Sequence, residues 1–180
     1  LLAQGLNVVL SLCAGSLLFL LCREWLGLRA AVSVYLFWIV CPSQTMYNSL
    51  ILSEPLYTTL ILLFLYLVTV VFRRGPGASK PLLWGAAAGA AGGLLLRWIN
   101  GLRPIAAILI IALFLWVFLL NGDKLFQKGV PQVLLPLLGV AVVLYALTGP
   151  LWNGRIAQRI GEEPSTTPGY SVLVGFNPAS

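Results

Sequence analysis

The sequence predicts an all-α protein, a polytopic transmembrane helix bundle of about six spanning or partly spanning helices with an extracytoplasmic C-terminal loop. Of the 180 residues, 59% are hydrophobic and only 9% are charged, whereas about a quarter are charged in a soluble domain. The mean hydropathy is +0.96. Long apolar runs, several near the ~20 residues that cross a bilayer, alternate with short polar connections. We therefore expect an integral, multi-pass protein of the plasma membrane.

The net charge of +6 comes from eleven basic and five acidic residues, and the basic residues lie between the apolar runs without forming a block. Such spacing indicates orientation in a bilayer, so we expect no nucleic-acid partner. The chain contains no His, which removes the commonest metal ligand and the commonest general base.

Six apolar segments are predicted to be spans, numbered in chain order. The second span is short and ends before Pro42, so it either crosses steeply or stops short of the interface. Residues 1–149 form the predicted bundle, as part of a larger membrane domain of a longer protein. Residues 150–180 form the predicted loop, with room for a short helix around 151–160. The spans cover about 3–22, 29–41, 51–72, 82–97, 103–120 and 131–149.

The basic residues alternate in density from one connection to the next, which orients the spans by the positive-inside rule. We place the richer set of connections in the cytoplasm and both ends of the chain at or near the outer face. The seven basic residues of the cytoplasmic set are Arg23, Arg29, Arg73, Arg74, Lys80, Lys124 and Lys128, and the four of the outer set are Arg97, Arg103, Arg155 and Arg159.

The fourth span is rich in small residues, with Gly85, Gly89 and Gly93 at i, i+4 spacing. In lipid such a face lets two helix backbones approach closely. We interpret it as a packing surface.

The third span opens on Ser53, Glu54 and Pro55. One interpretation is a helix start, with a cap, an acidic first-turn residue and a proline. However, a carboxylate at the mouth of a span should face the bundle and have a partner. Arg97 and Arg103 flank the short outer connection between spans four and five, although each taken singly could instead reach to lipid headgroups.

These charges predict a polar pocket at the outer boundary of the membrane. Arginine binds phosphate through paired hydrogen bonds, so the pocket would hold the phosphate of a lipid carrier whose tail stays in the bilayer. Its predicted members are Glu54, Arg97, Arg103, Tyr57 and Asn100, with Tyr47 and Asn48 beside them.

Four features of residues 1–120 resemble the GT-C superfamily of membrane glycosyltransferases, above all the protein O-mannosyltransferases and the lipid A aminoarabinose transferase. They are the short apolar helix ending at Pro42, Tyr47 in the polar stretch after it, the Ser53–Glu54 pair and the Arg103–Pro104 pair. The terminal GYSVLVGFNPAS also looks like the start of a loop in bacterial members. The resemblance implies an enzyme that moves a sugar from a polyprenyl-phosphate carrier to an acceptor on the extracytoplasmic side.

The resemblance also implies roles for residues. The family carries an essential acidic residue in its first extracytoplasmic loop, but this chain has no outward-facing Asp, so we expect the catalytic base upstream of residue 1 and no activity from these residues alone. Arg103, with Arg97 as second choice, would hold the carrier phosphate, and Glu54 would orient one of them or bind a sugar hydroxyl, with orientation favoured. The superfamily leaves room for a divalent cation, but one carboxylate and no His make a weak site, so we predict neither a metal nor another cofactor.

Two other functions remain open. A secondary transporter or lipid flippase would use the short helix before Pro42 as half of a broken helix. A non-catalytic membrane subunit would bind a partner through the small-residue face of span four. No repeat relates the two halves of the chain, and the ionisable residues lie towards one surface, which favours the glycosyltransferase.

Overall fold

The computed structural model describes residues 2–42, 54–103, 105–120 and 129–160. These residues are almost entirely helical and contain no strand, which confirms the predicted all-α helix bundle. Four described helices are long and apolar enough to cross a membrane, and two are shorter. The long helices are α1 (Leu2–Leu26), α3 (Glu54–Arg74), α4 (Pro81–Leu102) and α6 (Val130–Ile160); the shorter ones are α2 (Leu28–Val40) and α5 (Ala106–Leu115), which continues as a π-helix to Leu120.

The chain forms two compact units, Leu1–Thr69 and Val70–Ser180. In the first unit, α1 and α2 pack antiparallel. The indole Nε1 of Trp38 donates to the carbonyl of Ser11 at 3.2 Å, and Phe19 meets Tyr35 edge to face with 5.9 Å between ring centroids. Gly15 forms the notch for the indole, because a Cβ there would lie 2.8 Å from Trp38 Cδ1.

Helices α1 and α3 run parallel within the first unit. The hydroxyl of Thr59 lies 3.0 Å from the carbonyl of Leu10, and further along both helices the Nε1 of Trp25 donates to the Thr69 hydroxyl at 3.2 Å. Helices α1 and α3 are thus parallel, and α2, which lies between them in the chain, is antiparallel to α1. Three successive crossings of a membrane produce this arrangement.

Helices α4 and α6 form the core of the second unit and also run parallel. The closest approaches join Gly85 to Val133, Gly89 to Leu137 and Gly93 to Ala141. A Cβ on Gly89 or Gly93 would lie 2.7 Å from the carbonyl oxygen of its partner, and a Cβ on Gly85 would lie closer still to that of Val133. No side chain fits at these distances, so the small-residue face is a packing surface as predicted. Large apolar side chains beside it are fully buried, among them Leu96, Ile99, Leu134 and Leu137.

Helix α5 lies between α4 and α6 in the chain and leads back from the end of α4 towards the start of α6. With its π-helical continuation it runs from Ala106 to Leu120, or about 22 Å at the usual rise per residue. Near its end, the ring of Trp116 packs edge to face on Phe72, with 4.8 Å between centroids. Phe72 lies in the last turn of α3, so the two helices end at the same level.

Helix α6 is longer than the predicted sixth span. It continues without a break through Gly149 and Pro150 to Ile160, whereas the sequence analysis placed the start of the loop at residue 150. Pro150 removes one backbone donor, but a proline is tolerated inside a transmembrane helix because neighbouring groups satisfy the freed carbonyl. The rest of the predicted loop, residues 161–180, lies outside the described residues.

Candidate functional site

Arg97 is a buried cation inside a helix that is long enough to span a membrane. It follows Gly85, Gly89 and Gly93 at the same four-residue spacing, so it extends the glycine face of α4 towards α6. Its side chain is only 9% exposed, and its Nη2 donates to the carbonyl of Gly149 at 3.2 Å. The charge therefore lies between two helices of the second unit and not against lipid.

The side chain of Arg97 reaches towards the C-terminal end of the helix pair, the end predicted to lie outside. Each glycine of α4 meets a residue 48 positions later, since 133 minus 85, 137 minus 89 and 141 minus 93 are equal, which puts Arg97 level with Tyr145. The guanidinium instead binds Gly149, about 6 Å further along α6. Arg97 itself lies five residues before the end of α4 at Leu102, or about 8 Å. Its charge is thus close to the end of α4 that the predicted topology places outside.

Arg103 differs from Arg97 in exposure. It ends α4 with an extended backbone, at φ −147 and ψ 136. Its N–H donates to the carbonyl of Ile99 at 2.9 Å, and its carbonyl accepts from Ile105 at 2.8 Å. The backbone is held on both sides while the side chain is exposed. Asn100 is half-buried and follows Arg97 by three residues, which places the two on one face of α4.

Glu54 and Tyr57 belong to the first unit. Glu54 is the first described residue of α3 and is half-buried, with one carboxylate oxygen fully buried. A negative charge in the first turn is favoured by the helix dipole, as the capping interpretation requires. Ser53, the predicted cap, lies outside the described residues.

The sequence analysis missed two buried polar residues of α1, one of them at about the level of Glu54. Because Thr59 lies beside Leu10 in parallel helices, Glu54 is level with about residues 4–7 of α1. Asn7 and Ser11 of α1 are each only 7% exposed. With Gln4 they share one face, at positions i, i+3 and i+7. The spacing of these polar residues inside an apolar run is the sequence signal that could have predicted a polar face on α1.

The five predicted site residues therefore divide between the units. Arg97, Asn100 and Arg103 lie at the end of α4 in the second unit, and Glu54 and Tyr57 lie at the start of α3 in the first. A single pocket containing all five stays a prediction. Tyr47, Asn48 and Pro104, which the sequence analysis placed beside it, are outside the described residues.

The described residues offer little to a metal ion. Among residues 2–42, 54–103, 105–120 and 129–160, no three His, Cys, Asp or Glu side chains come together. What the second unit does present is a buried guanidinium, whose planar set of donors suits an anion with several oxygens.

Comparisons with protein-family models, with curated proteins and with solved structures found no match to this chain.

Proposed function

We propose that this chain is the transmembrane part of a GT-C type glycosyltransferase, which moves a sugar from a polyprenyl-phosphate carrier to an acceptor on the extracytoplasmic side. The observation that carries the proposal is the placement of Arg97. A charged side chain within a span is costly and usually marks a functional path. Here the guanidinium is buried and reaches towards the predicted outer end of α4, the depth at which a carrier phosphate lies while its tail remains in the bilayer.

The burial of Arg97 changes which of the two arginines is the preferred candidate to hold the phosphate. The resemblance favoured Arg103, whose side chain is exposed. The buried Arg97 is the better candidate to hold the phosphate, because electrostatic attraction is stronger where water is excluded. We assign Arg103 to the rim of the site, where it attracts the carrier. Glu54 keeps its proposed role of orienting an arginine or binding a sugar hydroxyl.

The proposed reaction is an inverting transfer. A base deprotonates the acceptor hydroxyl, its oxygen attacks the anomeric carbon, and the bond from that carbon to the phosphate oxygen breaks. The phosphate leaves with the electron pair, and a positioned arginine stabilises the charge that develops on it. In this proposal the role of Arg97 is to hold the phosphate.

The proposal is tested on the full-length protein in proteoliposomes, with undecaprenyl phosphate carrying radiolabelled mannose or aminoarabinose as donor. Arg97→Gln removes the charge, and we expect kcat/KM to fall about 100-fold or more, as for loss of one transition-state donor. Arg103→Gln should cause a smaller loss. Arg74→Gln, at the exposed predicted cytoplasmic end of α3, is the matched control and should transfer sugar at the wild-type rate. Wild-type kinetics for Arg97→Gln would exclude the phosphate-holding role.

Glu54 is tested by Glu54→Gln in the same assay. This change keeps the shape of the side chain and removes its charge. A role in orienting an arginine or binding the sugar predicts a loss of turnover. Unchanged turnover would leave only the capping interpretation.

One observation bears on the alternative of a non-catalytic subunit. The non-catalytic subunit was predicted to bind a partner through Gly85, Gly89 and Gly93, but this face is covered by α6 of the same chain.

A further inference from the structure

We infer that Gly149 is a positioning residue for Arg97: because it has no side chain, its backbone carbonyl is open to the guanidinium and holds it at the end of the α4–α6 pair. The effect on sugar transfer rests on the proposed function, whereas the positioning rests on the contacts alone.

The contact involves both terminal nitrogens of Arg97. Nη2 donates to the Gly149 carbonyl at 3.2 Å, and Nη1 lies 3.7 Å from the point where a Cβ of residue 149 would be. The guanidinium thus lies against the bare backbone of α6. Arg97 is nine-tenths buried and its hydrogen bond to Gly149 is partly buried, so this contact restricts the side chain.

Glycine suits this position for a steric reason. A carbonyl oxygen within a helix has two lone pairs, and the helix uses one of them. A donor from a neighbouring helix can reach the other only where side chains do not cover it. A methyl group at residue 149 would meet Nη1 at an ordinary contact distance, but a longer side chain would occupy the volume that the guanidinium fills.

Pro150 leaves the same turn of α6 without one backbone hydrogen bond. It has no N–H, so the carbonyl of Ala146 loses its usual helix donor. One residue before Gly149, the hydroxyl of Thr148 lies 2.6 Å from the carbonyl of Leu144 and 3.3 Å from that of Tyr145. The bond from Arg97 therefore joins α4 to α6 beside a turn that lacks one backbone hydrogen bond.

The experiment measures the reactivity of Arg97 with phenylglyoxal, followed by mass spectrometry, in the full-length protein. Gly149→Leu should displace the guanidinium and raise the rate of its modification several-fold above that of the wild type. Gly149→Ala should give a smaller change. Gly139→Leu is the matched control, because Gly139 lies in the same helix and a Cβ there meets nothing within 4 Å. It should leave the rate at the wild-type value.

Sugar transfer supplies the second measurement. Gly149→Leu should raise the KM for the polyprenyl-phosphate donor about tenfold, since a hydrogen bond to a charged group contributes on that scale. Gly149→Ala should leave this KM close to the wild-type value. A general packing defect would instead lower kcat and thermal stability together.

The outcomes separate the two proposals. An unchanged modification rate in Gly149→Leu, or an equal rise in Gly139→Leu, overturns the positioning role. Faster modification with an unchanged KM keeps the positioning role and overturns the assignment of the phosphate to Arg97. If Gly149→Leu does not fold, Gly149→Val tests the same position with a smaller side chain, and the same outcomes apply.

Discussion

Single polar groups link helices in this protein, and Thr59 is the clearest case. It is 9% exposed, and its hydroxyl lies 2.6 Å from the carbonyl of Pro55 in its own helix and 3.0 Å from that of Leu10 in α1. In lipid an apolar surface gives helices little reason to associate, so such contacts determine how they pair. Thr59 thus helps to hold the start of α3, and with it Glu54, against α1.

We predict that Thr59→Val destabilises the protein by about 0.6–2 kcal/mol, the range measured for hydrogen bonds between transmembrane helices. The free energy of unfolding in mixed micelles is the measurement. Thr148→Val is the control, because the Thr148 hydroxyl bonds to carbonyls of its own helix. An equal loss in both variants would mean that the contact with Leu10 contributes nothing.

At the scale of the helix, α4 combines two properties on one face. Its glycines bring the backbone of α6 within contact distance, and its next residue at the same spacing is Arg97. The close approach leaves little room between the two backbones along the glycines, and the guanidinium of Arg97 reaches from there towards the predicted outer end. The packing surface and the proposed phosphate site are therefore consecutive parts of one stripe.

We predict that Gly89→Ala destabilises the protein by about 1–3 kcal/mol, the usual effect of overpacking. Its Cβ would lie 2.7 Å from the carbonyl of Leu137 and 3.0 Å from that of Pro136, and since both atoms are backbone the helices must separate. Gly139→Ala, which meets nothing within 4 Å, should be neutral or gain up to about 1 kcal/mol of helix propensity. Thermal unfolding in detergent distinguishes the two.

At the scale of the whole molecule, the direction of the helices agrees with the charge pattern. Parallel α1 and α3 in the first unit and parallel α4 and α6 in the second are what alternating crossings require. The positive-inside rule predicts the absolute direction, with the connection before α4 in the cytoplasm and the connection after it outside.

We predict that single cysteines at Ser79 and Gly101, which are exposed at opposite ends of α4, label from opposite sides of the membrane. With Cys13, Cys22 and Cys41 replaced by alanine, an impermeant maleimide added to intact cells should label position 101, and position 79 only after permeabilisation. The reverse pattern would invert the predicted topology. Labelling of both from one side would exclude α4 as a span.

The sequence by itself determined the all-α class, the six helical segments, the short second helix and the packing role of the glycine face. These features depend on composition and on spacing along one helix, which are local. Three features come from the packing of the helices: α6 covers the glycine face, α6 continues through Pro150, and Arg97 is buried while Arg103 is exposed. Each of these depends on contacts between residues far apart in the chain, and no spacing within one segment specifies the partner helix.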